Sequence, residues 1–395
     1  MKVSGFGLWR IAITLAALLL QGCGQTPQPQ VKTGLAGLEA VKSLDVYADG
    51  DTLHLLLAGP SGGNTVMRYL QSSDGGMSWT APVTIDAGHA PPYGVHRGDD
   101  ARIAASGPHL VATWPTQGSG WGGSGPMASA ISDDGGQSWH PGGNPAGDAS
   151  LSEAFIDLAA GPGGIFHAVW LDSRHGQQGL QYAHSSDGGE HWSNVLTIDP
   201  ATCQCCWNTL RPAPGEGVYV LYRNVDPRDM GLAASNDGGA SWQRRGPVGA
   251  FDWQFDACPH TGGGLAVTGG SAAPVLHAVV WSGKRGELGL HYLVSSDGGR
   301  SWLALGRLGD DTARHVDLAA LDGQHLAAVW DAATEAGSGI FAARSHDGGK
   351  TWGQPRGLSA PRAQAEHPRI VATADGYRIF WTQRNGAWAV VGLPR

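Results

Sequence analysis

The stretch 72-SSDGGMSW-79 returns five more times along the chain, as 132-SDDGGQSW-139, 185-SSDGGEHW-192, 235-SNDGGASW-242, 295-SSDGGRSW-302 and 345-SHDGGKTW-352. Its aspartates, Asp74, Asp134, Asp187, Asp237, Asp297 and Asp347, stand 60, 53, 50, 60 and 50 residues apart. One strand-rich unit recurring at that interval marks a repeat architecture, in which each unit buries its apolar face on the next. The turn explains itself chemically. An Asp carboxylate accepts from nearby backbone N–H groups, a Gly-Gly pair supplies positive φ, and a Ser or Thr closes the loop. The Trp that follows buries a large apolar face. An aspartate used in this way has no carboxylate to spare, so the six copies read as architecture.

Working outward from the turns, each unit carries a pair of short apolar strands. The stretches 102-RIAASGPHLVATW-114 and 369-RIVATADGYRIFW-381 both begin Arg-Ile, turn in the middle and end on Trp. Related pairs lie at 157–170, 209–222, 263–281 and 317–330, with a weaker seventh at 45–59. Small, nearly continuous apolar runs suit strands buried on both faces. A third strand precedes each turn, as in 289-GLHYLVSS-296, and a fourth follows it. The last unit has only three strands, ending in 386-GAWAVVGLP-394, and the segment 31-VKTGLAGLEAV-41 could supply the missing one. The prediction is an all-β fold: one β-propeller domain over residues 31–395, with seven blades (six as the alternative). Closure by the N-terminal segment leaves no long open edge.

The pattern S-x-D-G-G-x-[ST]-W resembles the Asp box, or BNR repeat, of the sialidase (neuraminidase) superfamily, in six near-complete copies. The resemblance implies a propeller with its Asp boxes on the rim opposite the ligand face. Sialidases proper have six blades, so a count of seven departs from them. The activity implied is exo-α-sialidase hydrolysis. It needs three arginines around the substrate carboxylate, an Asp acid/base and a Tyr nucleophile paired with a Glu. Candidates by position are Arg102, Arg211 and Arg369 on inner strands, Asp99 or Asp100, and Tyr93 and Glu153 in crossings between blades. Against this, the family's opening Arg-Ile-Pro motif is absent. Arg102 and Arg369 fill equivalent repeat positions, which suits packing or pairing equally well, and Arg211 reads as one position out of register.

Composition narrows the partners. Charged residues are 15% of the chain and the net charge is −8, which gives no electrostatic reason to bind nucleic acid. A monomer is expected. Residues 1–22 read as a signal peptide: Lys2 and Arg10 flank the short apolar run 11-IAITLAALLL-20, and 20-LQGC-23 resembles the bacterial lipobox. Cys23 would then carry the lipid, with 23–30 as a polar tether. Gly24 in place of Asp favours the outer membrane under the lipoprotein sorting rule, in the cell envelope of a Gram-negative host.

The ligand face is expected where each fourth strand crosses to the next inner strand. Long crossings run over 86–100, 140–155, 199–208 and 247–261, and polar and aromatic loops on a rigid ring are where binding residues gather. Two of these crossings hold 203-CQCC-206 and 258-CPH-260. In an exported chain, Cys203, Cys205, Cys206 and Cys258 read first as disulfides, with Cys258 bonded to one of the other three. The alternative is copper or zinc on these thiolates and His260, joined by His96, His315 and His367 at other strand starts. Neither a zinc-finger C-x-x-C pair nor a haem-attachment motif is recognised. No cofactor is otherwise called for. Three function classes follow: an envelope propeller binding a glycan or protein ligand, a glycoside hydrolase, and a metal-handling protein. Converging free arginines would favour the second, and reduced cysteines converging with histidines the third.

Overall fold

The computed structural model describes residues 1–2, 30–32, 37–85, 88, 92, 98–119, 123–147 and 152–395. Within them lie seven four-stranded antiparallel sheets, the blades of a β-propeller. The inner strands, in blade order, are Ser43–Asp49, Arg102–Ser106, Ala154–Ala160, Thr209–Pro212, Gly264–Gly270, Arg314–Ala320 and Ala365–Thr373. Blades 1 to 6 run in chain order from the inner strand outward. Blade 7 takes its outermost strand from Gln30–Lys32, which pairs with Trp388–Pro394 in the register Gln30↔Val390. That strand lies just before most of the segment assigned to it by sequence. Residues 39–42 act differently: Glu39 and Lys42 donate their N–H groups to Pro60 and Ala58 of blade 1, and Val41 donates to Gly386 of blade 7. Cys23 and its lipobox, Tyr93 and His96 lie outside the described residues.

The apolar runs fold as strands because both of their faces are covered. Each blade's second strand packs between its neighbours, and the tryptophans carried by four of these strands, Trp114, Trp170, Trp330 and Trp381, are fully buried. The core is a ring of apolar clusters, several of which join residues of successive blades.

The six Asp boxes cap the third strands, at the end opposite the starts of the inner strands. In the first, Asp74 Oδ1 accepts from Ser78 N at 2.9 Å and from Ser72 Oγ at 2.7 Å, while Gly76 N donates to Ser72 Oγ. The same bonds recur in the other five, with His191 or Thr351 in place of Ser where the sequence differs. These donors hold the Asp74, Asp134, Asp237 and Asp347 carboxyls down to a pKa of about 2. The second glycine of the box is needed for space as well as for φ. A Cβ on Gly136, Gly239 or Gly349 would collide with Tyr69, Tyr182 or Tyr292 of the preceding blade. Each tyrosine hydroxyl sits against a buried imidazole, His54 and His167 at 2.8 Å and His277 at 2.7 Å. Burial holds these three histidines down to a pKa of about 4, hence neutral.

Candidate functional site

The inner strands all begin at the face opposite the Asp boxes, and there they form two tiers around the axis. Strand pairing and inter-blade bonds align one position per blade: Asp45, Arg102, Asp157, Thr209, Gly264, Asp317 and Arg369. Where this position is Asp, its carboxylate accepts the N–H one residue past the same position in the next blade. Ile103 N donates to Asp45 at 3.0 Å, Leu210 N to Asp157 at 2.7 Å and Ile370 N to Asp317 at 3.0 Å. Arg102 and Arg369 are therefore equivalent, as the repeat pattern implies. Arg211 stands two residues past Thr209, not one out of register.

The three arginines do converge on the axis, but every one is shared between two carboxylates. Arg102 lies 3.1 Å from Asp45 and 3.7 Å from Asp157; Arg211 lies 3.8 Å from Asp157 and 3.5 Å from Asp317. Arg369 lies 3.8 Å from Asp45 and 3.5 Å from Asp100. Four aspartates thus interleave with three guanidinium groups. A cavity of about 460 Å³ follows the axis past this tier, walled further on by Tyr47, Ala160, Pro212 and Ala320.

Two residues before each of these positions is the outer tier: Ser43, Asp100, Phe155, Trp207, Gly262, His315 and His367. Phe155, His315 and His367 sit at β-bulges with φ of 52°, 45° and 51°, the left-handed region that costs a non-glycine residue energy. The Trp207 indole reaches over the axis to lie 5.5 Å from the His315 ring and 5.9 Å from that of His367. Gly262 lies against the indole so closely that a Cβ there would strike it, and Gly98 faces the same ring. His315 and His367 stack at 3.9 Å. One carboxylate oxygen of Asp331 is 2.7 Å from His315 Nδ1 and accepts from His367 N at 2.8 Å. Only about 10 Å³ of open space remains between Trp207, the histidines, Asp100 and Arg369. The mouth is roofed.

Of the other described hydrolase candidates, Asp100 joins the arginine tier through Arg369, whereas Asp99 and Glu153 do not. Asp100 is buried and accepts from Leu44 N and Gly98 N, both at 3.2 Å, besides pairing with Arg369. Asp99 Oδ1 accepts from Phe155 N at 2.7 Å. Glu153 is fully buried, its Oε2 accepting from Met127 N at 2.6 Å in the preceding blade, and burial raises its pKa to about 7. None of its partners belongs to the arginine tier.

The cysteines divide unevenly. Cys205 and Cys258 form a disulfide that joins the crossings into blades 4 and 5. Cys203 and Cys206 are unbonded and buried, with sulfurs 2.8 Å apart. They are spaced C-x-x-C, a pair easily overlooked beside the adjacent Cys205. His260 is exposed, with φ of 50°, close to the disulfide. His260 gathers with Cys205 and Cys258, whereas His315 and His367 form a separate cluster with Asp331, so only the cysteine and His260 part of the expected set is brought together among the described residues. Sequence reasoning missed Trp207, Asp331 and Arg223, the residue under the free thiols. Trp207 was within reach, because aligning the seven inner strands places it two before Thr209.

Residues 32–247, more than half of the chain, match the BNR repeat-like domain family. The chain belongs to this family. No curated protein matches. Among solved structures, this BNR chain is similar to a PL25 polysaccharide lyase, an ulvan lyase, with a TM-score of 0.56 at 10% identity over 93% of this chain and 95% of that one. It is similar to YCF48 bound to a D1 peptide, with a TM-score of 0.55 at 15% identity over 93% and 97%. It also resembles a Trypanosoma rangeli sialidase, with a TM-score of 0.50 at 13% identity, over 79% of this chain and 54% of the sialidase. At these identities the likeness is one of fold.

Proposed function

We propose that this BNR propeller is a binding or assembly module of the bacterial cell envelope, engaging a glycan or protein ligand at its mouth face and tethered through lipid on Cys23. The observation that carries this reading is the state of the arginines. Recognition of a substrate carboxylate requires guanidinium groups with free donors aimed into an open site. Here each of the three arginines is ion-paired with two of four aspartates, Arg102 Nη2 lacks a hydrogen-bond partner but is buried, and Trp207 covers the tier. A ligand reaching this face meets instead the loops around the roof, where Val225 and Phe255 are exposed and Phe255 stacks on Trp253 at 5.1 Å. Rigid aromatic anchors ringed by polar loops suit binding without chemistry. The ulvan lyase and the peptide-bound YCF48 share the ring but differ in what they do, so the fold by itself does not fix a reaction.

Two experiments test the proposal. The purified chain is expected to release no sialic acid from α-linked sialosides; turnover that disappears with Arg102→Ala, Arg211→Ala or Arg369→Ala would restore the hydrolase. In the native host, Cys23→Ala is expected to abolish fatty-acid labelling and membrane fractionation. A variant still labelled and membrane-bound would remove the anchor from the proposal.

A further inference from the structure

The four sulfurs of the cysteine cluster are not equivalent, and their arrangement points to a use beyond cross-linking. Cys258 is exposed, Cys205 is buried and bonded to it, and Cys203 and Cys206 lie wholly inside. Cys203 Sγ is 3.8 Å from Cys205 Sγ and 2.8 Å from Cys206 Sγ, so it stands between the outer disulfide and the inner thiol. Beneath them is Arg223, fully buried. Its guanidinium donates to the backbone carbonyls of Thr261, Arg228 and Trp281, and among the described residues no carboxylate pairs with it. A buried cation with no carboxylate at ion-pair distance favours negative charge beside it; the two thiols are the groups that act on it most strongly, ahead of Asp229 at longer range, and Cys206 is within hydrogen-bond reach. Hydrogen bonds from Cys206 and from Cys205 N, with the nearby arginines, bring the Cys203 thiol down to a pKa of about 6, a thiolate at neutral pH.

The distance between the inner sulfurs separates two chemistries. A disulfide needs about 2.05 Å, a closure of about 0.8 Å. Two thiolates on tetrahedral zinc lie about 3.8 Å apart, an opening of about 1 Å, and zinc needs two further donors. Cys205 is already bonded and cannot serve as one.

We propose that Cys203, Cys206 and the Cys205–Cys258 disulfide form one thiol–disulfide exchange site, through which a low-molecular-weight disulfide in solution oxidises the buried pair. The Cys203 thiolate attacks Cys205 Sγ: the Cys203–Cys205 bond forms, the Cys205–Cys258 bond breaks, and Cys258 leaves as a thiolate that takes a proton from water. Cys206 loses its proton to solvent and attacks Cys203 Sγ, which releases Cys205. One disulfide has moved inward and no electrons have left the protein. Oxidised glutathione, as the external disulfide, then accepts two electrons from Cys205 and Cys258, becomes two thiols and restores the outer bond. The inner bond closes the C-x-x-C ring one residue before Trp207, so oxidation fastens the roof of the mouth.

The test uses the full chain incubated with oxidised glutathione, quenched in acid, denatured, alkylated and mapped by mass spectrometry. Two alkylated cysteines are expected to fall to none, with no lasting glutathione adduct. In Cys258→Ala the loss of the Cys203 and Cys206 thiols should slow at least tenfold, with circular dichroism confirming that the variant is folded. The proposal is overturned if both inner thiols persist in the wild-type chain, including after refolding in the same buffer. It is equally overturned by an unchanged rate in folded Cys258→Ala, or by stoichiometric zinc or copper in the native protein. The wild-type thiol count decides even where that variant does not fold.

Discussion

On the Asp-box face, six copies of one turn repeat the same bonds, whereas on the mouth face seven equivalent positions hold Asp, Arg, Asp, Thr, Gly, Asp and Arg, no two neighbours alike. The first face is solved once and copied, because every turn does the same thing, reversing the chain and seating its glycine on the preceding blade. The second face is built by difference, because residues from different blades meet at one axis and must complement one another. Repetition therefore marks the scaffold, and broken repetition marks the face that the proposed binding function would use.

If the scaffold face depends on buried neutral histidines, acid should strike it first. His54, His167 and His277 have folded pKa values lowered to about 4. Their contribution is therefore present above the unfolded value near 6.5 and is lost as pH falls toward 4. Urea unfolding between pH 7 and pH 4 should show a combined loss of several kcal/mol, reduced when His167 is replaced by Gln. A flat profile over that range would show that these histidines do not couple folding to acid.

The glycines sharpen the same point. Gly239→Ala places a Cβ on Tyr182 at φ of 94° and should cost about 3 kcal/mol or more, while Gly238→Ala, at φ of 67° but facing open space, should cost about 1 kcal/mol. Equal costs in thermal melts would mean that packing of the preceding tyrosine adds nothing to the turn.

On the mouth side, Glu153 carries the opposite pH sign. Its folded pKa is raised to about 7 by burial, so its stabilising effect is complete below the unfolded value and is lost as pH rises through 7. Glu153→Gln should gain on the order of 2 kcal/mol over the wild type at pH 8 and nothing at pH 4. A constant difference at both would show that its charge state is irrelevant.

The smallest effect belongs to a single box. Asp187→Ala removes the acceptor for His191 N and should cost about 1 kcal/mol, as for a lost cap, without changing ligand capture by the folded fraction.

The seven blades were legible in the sequence because the Asp box and the paired strands are local patterns with fixed internal spacing. So was the approximate place of the closing strand, since a three-stranded last unit leaves an edge to cover. The mouth was legible only in its inventory. Arg102, Arg211 and Arg369 were found, but their partners Asp45, Asp157 and Asp317 stand one or more blades away, and nothing in the local sequence announces an ion pair across the axis. Aligning the inner strands gives the position of Trp207 but not its role, which depends on Gly98, Gly262, His315 and His367 from other blades.

The most direct measurement places a photo-crosslinking amino acid at Phe255, on the mouth face, and in a second chain at Met77, in the first Asp box, both exposed. Irradiated in envelopes of the native host, the Phe255 position should yield a discrete adduct with a protein or glycan that the Met77 position does not. An adduct from Met77 alone, or none from Phe255, would contradict a mouth-binding propeller.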